Sequence, residues 1–300
     1  MRDLEYYISQ PKVDAHNHLN LGMHYEAFLA WSGEPIPDFP RRMSGLDEMH
    51  EVISRYTRPR CRTAEDVESL IRMSVRDAIA DGVTVLEGSI DIGFMYHFGE
   101  NMDNFLAMIS SVVSDNAAKI DMRPELGFGK TFDKDKIHKW APDLIRSGVF
   151  KSIDLYGPEI FEGIEDFKYL FELSEKLGLK KKAHVGEFSD ADSVQRLVEF
   201  FDLQEIQHGI GAAQDPAVLA FLAKRKVRCN VCPQSNYMLS AVPTFEEHPV
   251  KAMLDAGVPV TIGTDDLLFF DHGCSLQIYN LVAKGVITEK DADTLLKTGV

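Results

Sequence analysis

Lys181–Glu187, K-K-A-H-V-G-E, sets the architecture of the chain. It reads as a short strand that ends on His184, followed by a glycine turn carrying Glu187. A histidine at a strand end can hold a metal, and a carboxyl group three residues on can move a proton beside it. A buried strand-end histidine is more often a hydrogen-bonded core residue, so these residues gain meaning only from what surrounds them.

Seven more strand-like runs flank this one: Lys12–His16, Val83–Asp91, Arg123–Gly129, Val149–Gly157, Glu205–Gly211, Val227–Pro233 and Pro259–Asp266. Amphipathic helical patterns lie between them. Thr63, with Asp66 three residues on, predicts a capped helix whose face is Val67, Leu70, Ile71, Val75, Ala78 and Ile79, stopped at Gly82. Val194, Leu197, Val198 and Phe201 repeat the pattern, and Leu177-Gly178 and Ala256-Gly257 read as helix stops.

Strand and helix alternating eight times predict an α/β fold, a (β/α)8 TIM barrel, as one unit spanning residues 1–300. A doubly wound open sheet is the alternative. It asks for a glycine-rich phosphate loop after the first strand, where this chain has His16-Asn-His18-Leu-Asn20. Residues 20–62 form a long insertion between the first two strands, with helical patterns near Tyr25–Trp31 and Leu46–Tyr56 joined by the proline-rich G-E-P-I-P-D-F-P. In a barrel such an insertion leaves from the C-terminal face, where it would cover a site as a lid. The last helical pattern, after Thr288, is short.

Bulk properties narrow the function. Of 300 residues, 32 are basic and 47 acidic, a net charge of −15. That balance disfavours nucleic acid or an anionic membrane as partner, since both need a basic footprint. No signal-peptide pattern opens the chain and no long apolar run spans it, so a cytoplasmic location is expected. Cys61, Cys229, Cys232 and Cys274 offer no second pair for a zinc site. Cys229-Asn-Val-Cys232 lies in a strand pattern rather than at a helix start, so the four are expected to be reduced structural thiols.

Barrel chemistry gathers where strands end at the C-terminal face. The first strand ends in His16 and His18, on one face by alternation; the fifth ends in His184, the sixth in His208, the eighth in Asp265-Asp266. Three imidazoles and a carboxylate suit zinc or another late divalent ion with room for a water.

Six stretches, V-D-A-H-N-H-L, I-D-L-Y-G-P-E, K-A-H-V-G-E, Q-H-G-I-G, V-C-P-Q-S-N and T-I-G-T-D-D-L-L-F, together resemble the adenosine deaminase family of the amidohydrolase superfamily. The resemblance runs over nearly the whole chain. It implies that His16, His18, His184 and Asp265 hold one zinc ion, that Glu187 shuttles a proton, and that His208 orients the water, with Asp265 also taking part in catalysis. It further implies that Asp266 and the backbone amide of Gly157 contact a purine, and that Ser235 and Asn236 support the site. Zinc lowers the pKa of its water to about 7, which suits hydrolytic deamination of a 6-aminopurine. The fourth strand ends Asp154-Leu155-Tyr156-Gly157 without the lysine or glutamate that bridges two metals, so a single ion is expected.

Departures cluster at the sugar end. Asn20 stands near where the family carries an acidic residue, and Glu87-Gly88-Ser89 replaces a frequent glutamate-valine-arginine, which predicts extra room at that edge. The missing carboxylate counts against free adenosine as the substrate, and adenine, a modified adenosine, a 5′-substituted nucleoside and another aminated purine all stay open. So do two other classes: a hydrolase of a different amide or heterocycle, and a catalytically silent binding barrel. His24, His97 and His272 are expected at the surface or behind the site, and His50, His138 and His248 in solvent.

Overall fold

The computed structural model describes every residue except 1, 35, 38, 41 and 300; Pro35 and Asp38 of the proline-rich stretch therefore lie outside the described residues. Eight parallel strands form the barrel: β1 Lys12–His18, β2 Val83–Asp91, β3 Glu125–Gly129, β4 Ser152–Tyr156, β5 Lys180–Val185, β6 Glu205–His208, β7 Arg228–Val231 and β8 Val260–Ile262. A two-residue strand, Asp121–Met122, also pairs with β2. Each barrel strand pairs in parallel with the next in sequence. Closure between β8 and β1 is slight: one bridge, Asn17 to Asp265, with the His18 amide donating to Asp265 O at 3.2 Å and the Asp265 amide to His16 O at 2.7 Å. Among the described residues no helix is long and apolar enough to cross a membrane.

Alternation along the strands sorts the side chains. Ile153, Leu155, Ala183, Val185, Ile206 and Val231 face outward and are buried under the ring of helices. The helix Ala64–Ala80 packs Val67, Ile71 and Val75 there, and its start carries the expected capping box between Thr63 and Asp66. The inward positions are polar. Lys182, fully buried, reaches Glu87 at 2.8 Å, Glu125 at 2.8 Å and Glu205 at 3.6 Å, and Arg228 pairs with Glu87 and Glu205. Lys181 points the other way, to Glu175 at 3.3 Å. This paired charge layer forms the floor of the barrel, and the histidines lie one layer above it on the same inward faces. Removing one member of such a buried pair costs about 3–5 kcal/mol, because its partner stays desolvated.

The segment between β1 and β2 carries helices Tyr25–Ser32 and Leu46–Val52. It builds a second apolar cluster in which Phe28, Met43 and Met49 join Leu239, Leu268 and Phe269 from the loops after β7 and β8. That packing places the segment over the C-terminal mouth of the barrel. Gly186, in the turn after β5, has φ +74°, and a Cβ there would stand 2.5 Å from Val194. Only glycine turns the chain tightly enough to carry Glu187 back over the barrel.

Candidate active site

The strand ends bring the predicted ligands together. His16 Nε2 lies 3.1 Å from His184 Nε2, and Asp265 Oδ1 is 3.5 Å from both His16 Nε2 and His18 Nε2. The other ring nitrogens fix the tautomers. His16 Nδ1 faces Asn230 O at 3.3 Å, and His184 Nδ1 faces the Asp154 carboxylate at 3.2 Å. Each Nδ1 therefore carries a hydrogen, which leaves the His16 Nε2 lone pair directed at His184 Nε2. Burial, then His184, pushes His16 well below the usual histidine range; His18 is pushed down to about 4, burial outweighing Asp265. Burial lowers His184 too, but the facing Asp154 carboxylate outweighs it and holds His184 above the usual range. Three imidazoles converging beside a carboxylate fit a divalent cation.

The carboxylate is aimed by strain and by hydrogen bonds. Asp265 has φ +57° and His208 φ +63°, two non-glycine residues in the left-handed region at the same site. Ser235 Oγ donates to Asp265 Oδ2 at 2.6 Å. Buried Asp14 clasps the two sides of the seam. It accepts from Thr264 Oγ1 at 2.6 Å, from the Thr264 amide at 3.2 Å and from the His16 amide at 3.3 Å.

Glu187 stands across the cavity from these ligands. Burial, then Asp265 and Glu159, holds its carboxyl well above the usual range, which favours the protonated form that can act as an acid. Asn236 Nδ2 donates to Glu187 Oε1 at 2.9 Å and to His208 Nδ1 at 3.1 Å. Because His208 Nδ1 accepts, its Nε2 carries the hydrogen and lies 3.3 Å from Glu187 Oε2. Asp266 is buried with Oδ1 unpartnered among the described residues, and burial with Asp265 raises its carboxyl well above the usual range. It precedes the short helix Leu267–Phe270 without a side-chain capping bond, so capping does not explain it.

A cavity of about 180 Å³ is lined by His18, His184, Glu187, His208, Asp265 and Asp266, with Gly157 and Asn20 at its edge; His16 lies beneath. The adenosine deaminase profile matches residues 11–299. The chain belongs to the adenosine deaminase family. A Treponema pallidum (strain Nichols) protein provisionally named adenosine/adenine deaminase is 58% identical over 296 residues, 99% of each chain. The crystal structure of adenine deaminase from Arthrobacter aurescens superimposes with a TM-score of 0.84 at 21% identity, over 96% of this chain and 91% of that one. A zinc-bound amidohydrolase from Burkholderia ambifaria gives 0.82 at 21% identity, over 98% and 85%. At those identities the two structures show the (β/α)8 fold. The family is one of hydrolytic deaminases of the metal-dependent amidohydrolase type, and this chain is such an enzyme.

Several of the deaminase's site residues were not singled out from sequence. Asp154 orients His184. Glu159 accepts the amides of Glu187 at 2.8 Å, Phe188 at 3.2 Å and Ser189 at 2.7 Å, and so holds the turn that presents Glu187. The only sequence sign of it was its place at the end of I-D-L-Y-G-P-E. Asp91 supplies a carboxylate to the cavity near Asn20, accepts from the Tyr156 hydroxyl, and is pushed up to about 6 by burial.

Three expectations need correction. His248 is not in solvent: it is buried, donates Nε2–H to Asn236 Oδ1 at 3.2 Å and accepts the Val250 amide at Nδ1. Gly88 opens no room, because Leu19 fills it, 2.7 Å from where a Cβ would stand. Cys232 lies just past β7, with Sγ 3.3 Å from His16 Nδ1, rather than within the strand. His50 lines the cavity, His24 pairs with Asp271 at 3.1 Å, and His138 meets Tyr169 at 2.7 Å.

Proposed function

We propose that the enzyme deaminates a 6-aminopurine by hydrolysis, releasing ammonia, with His16, His18, His184 and Asp265 holding one zinc ion. When bound, the ion would supply a water activated at neutral pH. The observation that carries this reading is the pair of facing Nε2 atoms opposite a carboxyl group whose protonated form its surroundings favour. Glu187 gives its proton to ring N1 as water adds to C6 and electron density moves onto that nitrogen. Asp265 takes the proton of the water, and the N–H of His208 Nε2 holds the developing negative oxygen. The amino group then takes the proton held by Asp265, the C6–N bond breaks and ammonia leaves, while the hydroxyl proton returns to Glu187 as the C6 carbonyl forms. Asp266, with one oxygen unpartnered, holds the five-membered ring edge, and the Gly157 amide faces N3, with Asn20 at the far end.

Residues 20–62 close the cavity from above within one unit spanning 1–300. We place the enzyme in the cytoplasm, which fits four free cysteines. The test is a panel of 6-aminopurines offered to metal-replete protein and followed by the ultraviolet change on deamination. No turnover across the panel refutes the reading. Glu187→Gln is expected to keep its metal and lose roughly 10²- to 10⁴-fold in kcat; a near-normal rate removes Glu187 as the acid.

A further inference from the structure

The cavity that holds the ligands and Glu187, about 180 Å³, suits a heterocyclic base and little more. It opens into a second chamber of about 480 Å³. Asn20, Leu21, Ile53, Arg58 and Asp91 line both and mark the neck where the two meet. Past the neck the walls are mostly apolar, Phe28, Leu70, Phe94 and Phe132 together with Cys61, with Thr57, Tyr96 and His97 beside them, contributed by the segment between β1 and β2 and by the loops after β2 and β3. Apolar walls facing a void forgo the contacts that close packing would give, so a chamber of this kind is stabilised by an apolar occupant.

The orientation of the base says which part of a substrate enters it. The reacting carbon must face the ligands, and Glu187 and Asp266 flank it on the N1 and N7 sides. Neither Glu187 nor Asp266 lines the second chamber. The N3–N9 edge of the purine therefore points to the neck, and whatever N9 carries extends through it. Asp91 and Asn20 are placed to meet sugar hydroxyls there, and the aromatic walls come next.

Resting on the deaminase reading above, we propose that the substrate is a 6-aminopurine nucleoside whose pentose carries an apolar thioether or aryl group at its 5′ position in place of a free hydroxyl. The hydroxyls of the pentose stay in the neck, and the 5′ group fills the chamber between Phe28, Phe94 and Phe132.

The test compares kcat/KM of the metal-replete enzyme for adenine, adenosine, 5′-deoxy-5′-methylthioadenosine and its 5′-benzylthio analogue. The 5′-thioether compounds are expected to exceed adenosine by roughly tenfold or more, the scale on which an apolar pocket discriminates added carbon. Cys61, in the chamber wall, provides the second arm: Cys61→Phe puts a ring into that space and is expected to cut the preference about tenfold. Adenine or adenosine turned over as well as the thioethers overturns this inference and leaves the deaminase reading standing. No turnover of any of the four overturns both. Should Cys61→Phe fail to fold, the ratio measured on the unaltered enzyme decides alone.

Discussion

Replacing Glu159 by alanine should disable the enzyme without touching its metal. One Glu159 carboxylate holds three consecutive amides, those of Glu187, Phe188 and Ser189, at 2.8, 3.2 and 2.7 Å. Buried, such charge-assisted bonds are worth roughly 1.5–3 kcal/mol each. Glu159 is partly exposed, so water recovers much of that, leaving about 2–3 kcal/mol to fix the turn. If the turn's only service is to hold Glu187 in place, that energy corresponds to roughly a 30- to 160-fold fall in kcat. A displacement of about 1 Å, costing on the order of 10²-fold, gives the same scale independently. Glu159→Gln keeps one accepting oxygen and should fall between alanine and the native residue. The assay is kcat and KM on the best 6-aminopurine found, with metal content measured on the same samples. A kcat within threefold of normal in Glu159→Ala, or a loss of kcat accompanied by loss of metal, refutes the reasoning.

Two other outcomes follow from hydrogen bonds behind the cavity. Asp154→Ala removes the acceptor that holds His184 in its Nε2-lone-pair tautomer, and should weaken metal affinity roughly ten- to a hundredfold; a chelator competition giving unchanged affinity contradicts it. His248 is fixed neutral by donating to Asn236 and accepting from Val250, and burial pushes it down to about 3 from an unfolded value of 6.5. Between those two pH values the unfolded chain binds a proton that the folded one does not, so stability falls as pH falls, by about 1.4 kcal/mol per unit. His248→Gln should reduce the stability lost between pH 7 and 5.5 in urea unfolding by about 1.3 kcal/mol, and an unchanged loss would falsify the assignment.

How far the chain could be read beforehand depended on whether a residue's partner was near it in sequence. The strands were legible because in each a short run with apolar residues at alternate positions is bounded by a turn. The ligands were legible because each stands where a strand stops. β8 is shorter than expected, ending at Ile262, because Asp265 leaves the sheet with positive φ to turn its carboxylate inward. Three successive lysines, Lys180 to Lys182, carried no hint of which would be buried inside the barrel, as Lys182 is, and which outside it, as Lys181 is. That is decided by Glu87, Glu125 and Glu205, which come from three other strands. Glu159 and Asp154 went unnoticed for a similar reason: one binds backbone amides and the other a ring nitrogen, neither of which leaves a mark in composition. His248 sits in E-E-H-P, a polar context that suggests solvent, and it is buried only because Asn236 needs a donor.

The seam between first and last strands has a thermodynamic consequence. Among the described residues its backbone bonds at the mouth are the amides of His18 and Asp265, backed by side-chain bonds of Asp14 and Asn17 with Thr264, and the residues the amides join are those whose side chains face one another across the gap. An ion gripped by both sides would act as a rivet in a hoop that is otherwise barely fastened. Binding at a hundredfold above its dissociation constant would add about 2.7 kcal/mol of stability, concentrated where the ring is weakest. Loss of the ion would loosen the barrel first at that joint, so the deaminase would lose both its shape and its chemistry from one place.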